Sequence, residues 1–330
     1  MEKNPAFSIY FAPLQESTDN IYRSAHAKYF GCVDKYFAPY IVRQNDGTVK
    51  TSHMRDIRPE NNQNYPLVPQ ILAGNSADFV ILAGILQDFG YNEINWNLGC
   101  PYPMVTNKGL GSGLLPFPER IQSILEESIP RINCSVSVKM RTGLQSSDDI
   151  FKIIGILNDF PLKEVILHPR YGKQIYRGTP DEEVFAEVHK LIKHRLVYNG
   201  DIESTETIDR LNPLLADIST LMIGRGILKN PFFPVLLKNG ILPGKEKRAE
   251  ILRNFHDEIF LHYSNLLSGK SHQLMRMEKF WSYFCFSFPD PHKTFKGIKK
   301  SSNIIKYEAA VNANFQSLKN HEEDECSPHS

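Results

Sequence analysis

Few of the features that narrow a function early are present in this 330-residue chain. It has five cysteines, Cys32, Cys100, Cys134, Cys285 and Cys326, and no Cys-x-x-Cys pair. An odd, scattered set of this kind fits neither a disulfide framework nor a zinc site, and a reducing cytoplasm is the simpler setting. No run approaches the ~20 apolar residues that a spanning helix needs. Met1-Glu2-Lys3-Asn4-Pro5 leads into no long apolar core, so no signal peptide is expected. No Gly-x-Gly-x-x-Gly follows the first strand-like run, which argues against a dinucleotide-binding open sheet. The formal net charge is only +1, so no global field points to nucleic acid.

What is present is a regular succession of short apolar or β-branched runs. Strands are expected near Ser8–Ala12, Tyr36–Val42, Leu67–Leu72, Glu93–Leu98, Ser135–Lys139, Glu164–His168, Leu196–Asn199 and Leu221–Ile223. Helical stretches separate most of them, for example Ser76–Phe89, Pro118–Ser128 and Asp181–His194, and Ser76, Asp148 and Ser204 are good cap residues. Eight strands alternating with helices imply an α/β fold, a (β/α)8 TIM barrel. The polar stretch from Arg43 to Pro66 shows no long helix and is expected to be an irregular crossing. After Pro231-Phe232-Phe233-Pro234 the texture changes to long amphipathic runs, Lys245–Leu267, His272–Phe286 and Ser302–Leu318. The expected organisation is a catalytic barrel over 1–240, a smaller all-helical C-terminal domain over 241–319, and a disordered polar tail over 320–330. Between Ile241 and Lys319 there are 13 Lys and Arg against 7 Asp and Glu, a modest hint of a polyanionic partner. A solvated helical surface explains the same charge equally well.

In a barrel, chemistry belongs at the C-terminal ends of the strands, and polar residues cluster there. The fourth run ends at Asn97 and leads into Leu98-Gly99-Cys100-Pro101, followed by Gly109-Leu110-Gly111-Ser112-Gly113. The glycines free a tight turn and the proline stops the strand, so a thiol is presented on a loop at a strand end. The other runs end at Pro13-Leu14-Gln15, at Gln70, at Lys139-Met140-Arg141, at His168-Pro169-Arg170, at Asn199-Gly200-Asp201 and at Gly224-Arg225-Gly226. Taken singly, each has a plainer reading: Lys139 as a surface lysine, His168 as a core histidine. Recurrence at almost every strand end is what packing does not explain. Gly224-Arg225-Gly226 is the stronger element, because glycines after the last strand free N–H groups for an anion such as a cofactor phosphate.

Taken in order, these residues resemble the dihydrouridine synthase family. The resemblance rests on Ala12-Pro13-Leu14, Pro69-Gln70-Ile71-Leu72-Ala73-Gly74, Asn97-Leu98-Gly99-Cys100-Pro101, Val138-Lys139-Met140-Arg141-Thr142-Gly143, Asn199-Gly200-Asp201-Ile202 and Met222-Ile223-Gly224-Arg225-Gly226. The run Arg276-Met277-Glu278-Lys279-Phe280-Trp281-Ser282-Tyr283 is similar to the family's helical RNA-binding domain. Leu14-Gln15-Glu16 stands where many members have Met-Ala-Gly, and Pro169-Arg170-Tyr171 where Gly-Arg-Thr is usual.

The resemblance implies an FMN-dependent oxidoreductase that reduces the C5–C6 double bond of uridine in tRNA, with NADPH as electron donor. It implies hydride delivery to C6 and a proton from Cys100 to C5, which requires a thiol whose pKa is not depressed. Lys139 is expected beside the flavin N1 and O2, where reduction builds negative charge. Pro13, Leu14, Gln15, Gln70, His168, Asn199, Gly200, Asp201, Gly224 and Arg225 are expected to complete the cofactor site. Asn97, Arg141, Arg177, Arg276 and Lys279 are expected to meet the substrate. Lys293, Lys296, Lys299 and Lys300 are further candidates for RNA phosphates, whereas Trp281, Tyr283 and Phe284 read as core. A cytoplasmic monomer with no metal and no membrane partner is expected. The alternative is an FMN-dependent TIM-barrel oxidoreductase acting on a small molecule, with the helical tail used for assembly.

Overall fold

The computed structural model describes residues 7–324. Two compact units emerge: Met1–Gln15 with Val33–Gly224, and Glu16–Cys32 with Arg225–Ser330. The second unit therefore starts earlier than 241 and takes in a segment, 16–32, that sequence reading leaves with the barrel.

The first unit is a closed, all-parallel barrel. Its strands are β1 (Ser8–Phe11), β2 (Lys35–Phe37), β3 (Leu67–Val68), β4 (Gln70–Ile71), β5 (Glu93–Leu98), β6 (Ser135–Arg141), β7 (Glu164–His168), β8 (Arg195–Tyr198) and β9 (Thr220–Ile223). They lie in the order β3-β2-β1-β9-β8-β7-β6-β5-β4. Only Pro69 separates the two edges of that order, so β3 and β4 form one stave and the sheet closes on itself. The proline carries no N–H to donate, and its carbonyl still accepts from the backbone of Asn95 at 2.9 Å. The eight expected strands are thus eight staves. The second is shorter than expected and continues only as a bridge from Ile41 to Ile71. The crossing between residues 43 and 66 contains one short helix, Thr51–Ile57, and a single 3-10 turn.

Side chains fill the interior. Tyr10, Phe37, Val68, Ile166, Val197 and Met222 come from strands that are not all neighbours and form one buried cluster. At the N-terminal end of the staves the filling is ionic. Tyr10 donates to Glu164 at 3.0 Å, and Lys35 bonds Glu93 at 3.0 Å and Glu164 at 3.3 Å. The opposite, C-terminal ends are thereby left to other work. Helices start where local chemistry permits. Ser204 caps Thr205–Leu215 through the Thr207 N–H. The helix Ser76–Asp88 is capped by Asn75 rather than Ser76, and Asp148 makes no side-chain cap bond.

The second unit is all-helical: Asn20–Tyr29, Arg225–Lys229, Phe233–Asn239, Lys245–Leu266, Lys270–Phe284, Pro291–Lys299 and Ile304–Asp324. Helix Ile304–Asp324 enters the expected tail, and residues 325–330 of that tail lie outside the described residues. Trp281 and Phe284 are buried among Phe255, Phe280, Phe288 and Phe315. No helix among the described residues is long and apolar enough to cross a membrane. One polar chain runs through this aromatic core. The Trp281 indole can only donate, and it bonds Tyr307 Oη at 2.9 Å. The Asp257 carboxylate only accepts, so His256 carries its hydrogen on Nδ1 and donates it at 2.7 Å, and Nε2 of the neutral ring accepts the Tyr307 hydroxyl hydrogen at 2.7 Å. Burial lowers the His256 pKa and keeps the ring neutral.

Tyr307→Phe should destabilise the chain by about 2 kcal/mol, because two buried polar atoms lose their partner at ~1–3 kcal/mol each. Urea unfolding measures this, and a loss below ~0.5 kcal/mol would contradict the chain of bonds described.

Candidate functional site

At the end of β5 the backbone turns sharply, and Asn97 makes it do so. Its Oδ1 accepts the N–H groups of Gly99 at 3.0 Å and Cys100 at 2.9 Å. A second loop supports the turn from beneath: Ser112 gives its N–H at 3.0 Å and its hydroxyl at 3.1 Å to the Cys100 carbonyl. That approach needs glycine at 111, where φ is +56° and a Cβ would stand 2.7 Å from the Cys100 carbonyl oxygen. The thiol is buried beside Leu72 and Val105, with Tyr40, Val42 and Leu110 packed against them. The Tyr40 hydroxyl lies 4.0 Å from Sγ. Burial pushes the Cys100 thiol pKa up, against smaller opposing effects from the Tyr102 N–H, Tyr40, Arg141 and Lys139. The sulfur therefore keeps its proton at neutral pH.

Lys139 stands in register with Asn97 on the adjacent strand. It makes no hydrogen bond or ion pair among the described residues. Loss of water around the ammonium, and then the charge of Arg141, lower its pKa from 10.5 to about 7. An uncommitted, poorly hydrated cation at a strand end is suited to a ligand carrying or developing negative charge. Gln70 is buried on β4, and its Oε1 accepts from Asn97 Nδ2 at 2.7 Å. The Asn97 carbonyl is committed to the Cys100 turn, so what Asn97 can still offer a ligand is its amide N–H.

Arg141, expected at the substrate, spends its donors on the protein. It bonds the carbonyls of Tyr171 at 2.9 Å and Ile175 at 2.6 Å, and its guanidinium lies 5.5 Å from the Tyr176 ring centre. It thus clamps a loop in which Ile175 is held at φ +54°, a strained value for a β-branched residue. Burial lowers the Arg141 pKa to about 10, so it remains charged at neutral pH. His168 is ordered by Arg170, which sequence reasoning left out of the candidate set. Arg170 is fully buried, grips both carboxylate oxygens of Asp201 at 2.8 and 2.6 Å, and reaches the Gly178 carbonyl at 2.6 Å. Its Nη1 also lies 3.1 Å from His168 Nε2. A guanidinium only donates, so that imidazole nitrogen accepts and the ring is neutral.

The remaining expected residues fall into three groups. Asn199 bonds the Met222 carbonyl at 2.8 Å and ties β8 to β9. Gly224 passes so close to β1 that a Cβ there would lie 3.3 Å from Leu14. Pro13 is half-buried like Leu14, whereas Gln15 and Arg177 are exposed, and Gly200 precedes the paired Asp201. In the second unit, Arg225 opens the helix Arg225–Lys229 and Lys279 is exposed on Lys270–Phe284. Arg276, expected to reach the substrate, instead pairs with Asp19 at 2.5 Å and bonds the Glu16 carbonyl at 2.7 Å. Among the described residues, no group of three or more His, Cys, Asp or Glu is placed to hold a metal ion.

The family model described as dihydrouridine synthase matches residues 10–318. A probable tRNA-dihydrouridine synthase of Helicobacter pylori is 32% identical over 183 residues, covering 53% of this chain and 54% of that protein. tRNA-dihydrouridine synthase B of Pasteurella multocida is 29% identical, covering 49% of each. The chain spans about half the length of the curated relatives it matches. Among solved structures, histamine dehydrogenase from Rhizobium sp. 4-9 superposes with a TM-score of 0.53 at 10% identity, covering 73% of this chain and 47% of that one. A variant of NCR from Zymomonas mobilis gives 0.50 at 14% identity, covering 72% of this chain and 88% of that one. At such identities the likeness is one of fold, a TIM barrel.

The Lys139 pKa is lower in the folded chain than in the unfolded one, so between about pH 7 and 10.5 the unfolded chain binds more protons. Stability of the ligand-free protein should therefore rise through this window, with Lys139 contributing a slope of up to ~1.4 kcal/mol per pH unit. Urea unfolding at pH 7 and 9 should show that rise reduced in Lys139→Met. An identical pH dependence in both proteins would remove the lysine from the desolvated site.

Proposed function

The chain belongs to the dihydrouridine synthase family, and we propose that it reduces the C5–C6 double bond of uridines in tRNA to 5,6-dihydrouridine, using FMN that NADPH re-reduces. The observation that carries this reading is a buried, protonated thiol at the end of β5 beside an uncommitted lysine, within a family match spanning residues 10–318. The residues fit a flavin. Lys139 would hold its N1 and O2 edge, Gln70 and Asn97 would offer amide N–H groups to the ring, and His168 would face the cofactor as a neutral imidazole. Pro13, Leu14, Gln15, Asn199, Gly200, Asp201, Gly224 and Arg225 would line the ribityl phosphate chain. The Asp201 carboxylate is neutralised by Arg170, which suits a site for an anion.

A flavin held by these residues would supply the hydride for uracil C6. The chain's own work is the proton. Cys100 gives its S–H hydrogen to C5, and the sulfur is left as a thiolate near the charges of Lys139 and Arg141. Water then returns the proton. Burial serves this role, because a thiol ionised beforehand has no proton to give.

A uridine inside folded RNA must leave its stack to reach a barrel mouth, at a cost of a few kcal/mol. We assign the offset to phosphate contacts of the helical region 241–319. Lys293, Lys296, Lys299 and Lys300 are exposed on and just after the helix Pro291–Lys299, whose Thr294 and Ile298 are buried. Arg177 and Lys279 are exposed and remain in the proposed substrate set; Arg141 enters it as the clamp of a rim loop.

Two outcomes test the reading. Cys100→Ala should still bind FMN and oxidise NADPH, yet form dihydrouridine ~10²–10⁴-fold more slowly, as measured by nucleoside mass spectrometry of tRNA. Product at the wild-type rate would dismiss the thiol as acid. Replacing the four lysines by Ala should weaken tRNA binding and flatten the dependence of log K on log salt by roughly 2–4. An unchanged slope would move the RNA elsewhere, and salt-independent binding would favour a small-molecule oxidoreductase.

A further inference from the structure

Beneath the Cys100 turn, four side chains form an unbroken hydrogen-bond ladder across three staves. Ser137 Oγ accepts from Asn95 Nδ2 at 2.9 Å, Asn95 Oδ1 accepts from Gln70 Nε2 at 2.7 Å, and Gln70 Oε1 accepts from Asn97 Nδ2 at 2.7 Å. Asn97 Oδ1 closes the ladder on the N–H groups of Gly99 and Cys100. All four side chains are buried.

The direction of every bond is forced from one end. Backbone N–H groups only donate, so the Asn97 oxygen must face them and its NH2 must face Gln70. The Gln70 oxygen then faces Asn97, its NH2 faces Asn95, and the Asn95 NH2 is left to face Ser137. Ser137 disposes of its own hydrogen on the Ile94 carbonyl at 3.2 Å. Turning Asn97 or Gln70 over would set donor against donor or acceptor against acceptor at two or more contacts, and turning Asn95 over would set its NH2 against that of Gln70, so the amide orientations are determined by the network. The fold alone does not require such a network. Elsewhere in the interior, between this ladder and the ionic set at the N-terminal end, Phe37, Val68, Ile166, Val197 and Met222 pack in one hydrophobic cluster. Polar side chains in that setting are costly unless satisfied, and a satisfied network specifies one arrangement.

We propose that Asn95 and Ser137 are positioning residues for Cys100, fixing the sense of the ladder whose last rung holds the thiol turn. Neither touches the sulfur, and both act through Gln70 and Asn97. The consequence for chemistry rests on the reading of Cys100 as proton donor; the consequence for the turn does not.

The test uses the full chain with Asn95→Leu, Asn95→Asp and Ser137→Ala. Asn95→Leu breaks the ladder. Asn95→Asp preserves its sense, because Asp accepts from Gln70 while Ser137 turns its hydroxyl toward the carboxyl. The readout is the pH profile of Cys100 alkylation by iodoacetamide, followed by the mass of the Cys100 peptide. Asn95→Leu should be alkylated about tenfold faster at pH 8, with its midpoint moved down toward the ordinary thiol value of ~8.5, and Asn95→Asp should stay within about threefold of wild type. Ser137→Ala, which removes only the end of the ladder, should lie between them and serves if Asn95→Leu does not fold. Wild-type profiles in both Asn95→Leu and Ser137→Ala, or in Ser137→Ala alone where the leucine variant is unfolded, overturn the proposal. With tRNA, the ladder variants should lose kcat while KM stays within about twofold. A wild-type protein that forms no dihydrouridine defeats the functional reading, and the alkylation profiles still decide the ladder.

Discussion

A single carboxamide oxygen governs the site. Asn97 Oδ1 takes two successive backbone N–H groups and converts the end of a buried strand into a turn that carries a thiol. Much of the surrounding architecture serves that contact. The glycine at 111 lets a second loop reach the Cys100 carbonyl, the closure of the barrel at Pro69 brings β4 beside β5, and Gln70 then meets Asn97 from the neighbouring stave. Ionic filling of the opposite end by Lys35, Glu93 and Glu164 leaves the C-terminal ends free for polar groups.

Desolvation acts on the ionisable groups there in the same direction, toward neutrality, with different results. It raises the Cys100 thiol and lowers Lys139 to about 7, so a neutral acid sits near a base poised at physiological pH. Burial lowers Arg141 only to about 10, so it stays charged, and it spends donors on loop carbonyls, whereas Arg170 spends its own on a carboxylate and a carbonyl. These two arginines tie down loops, whereas Lys139 makes no hydrogen bond or ion pair among the described residues.

The architecture was readable from the sequence because it is periodic and local. Short apolar runs marked the staves, and the polar residues that end them fell where a barrel presents its chemistry. Gln70 bonds Asn97, Lys139 stands in register with Asn97, and Lys139 and Cys100 interact electrostatically. The misses are long-range. Arg276 sits in a basic helix and reads as an RNA contact, yet its partner Asp19 lies 257 residues away. Arg170 stands beside a proline after β7 and gives no local sign of its bond to Asp201. The helix boundary at Asn75 differs by one residue, within the latitude that cap chemistry allows. Asn95 did carry a signal: in Glu93-Ile94-Asn95-Trp96-Asn97-Leu98 every second residue is polar, the alternation of a strand with one polar face. A polar face turned into a barrel is a face with work to do.

The central claim is that Cys100 arrives at the reaction with its proton in place. Labelling the cysteine Cβ with 13C and following the Cys100 shift against pH measures that state directly, in the presence and absence of flavin. The account requires a midpoint above the ordinary ~8.5. A midpoint below 7, a thiolate at working pH, would contradict it.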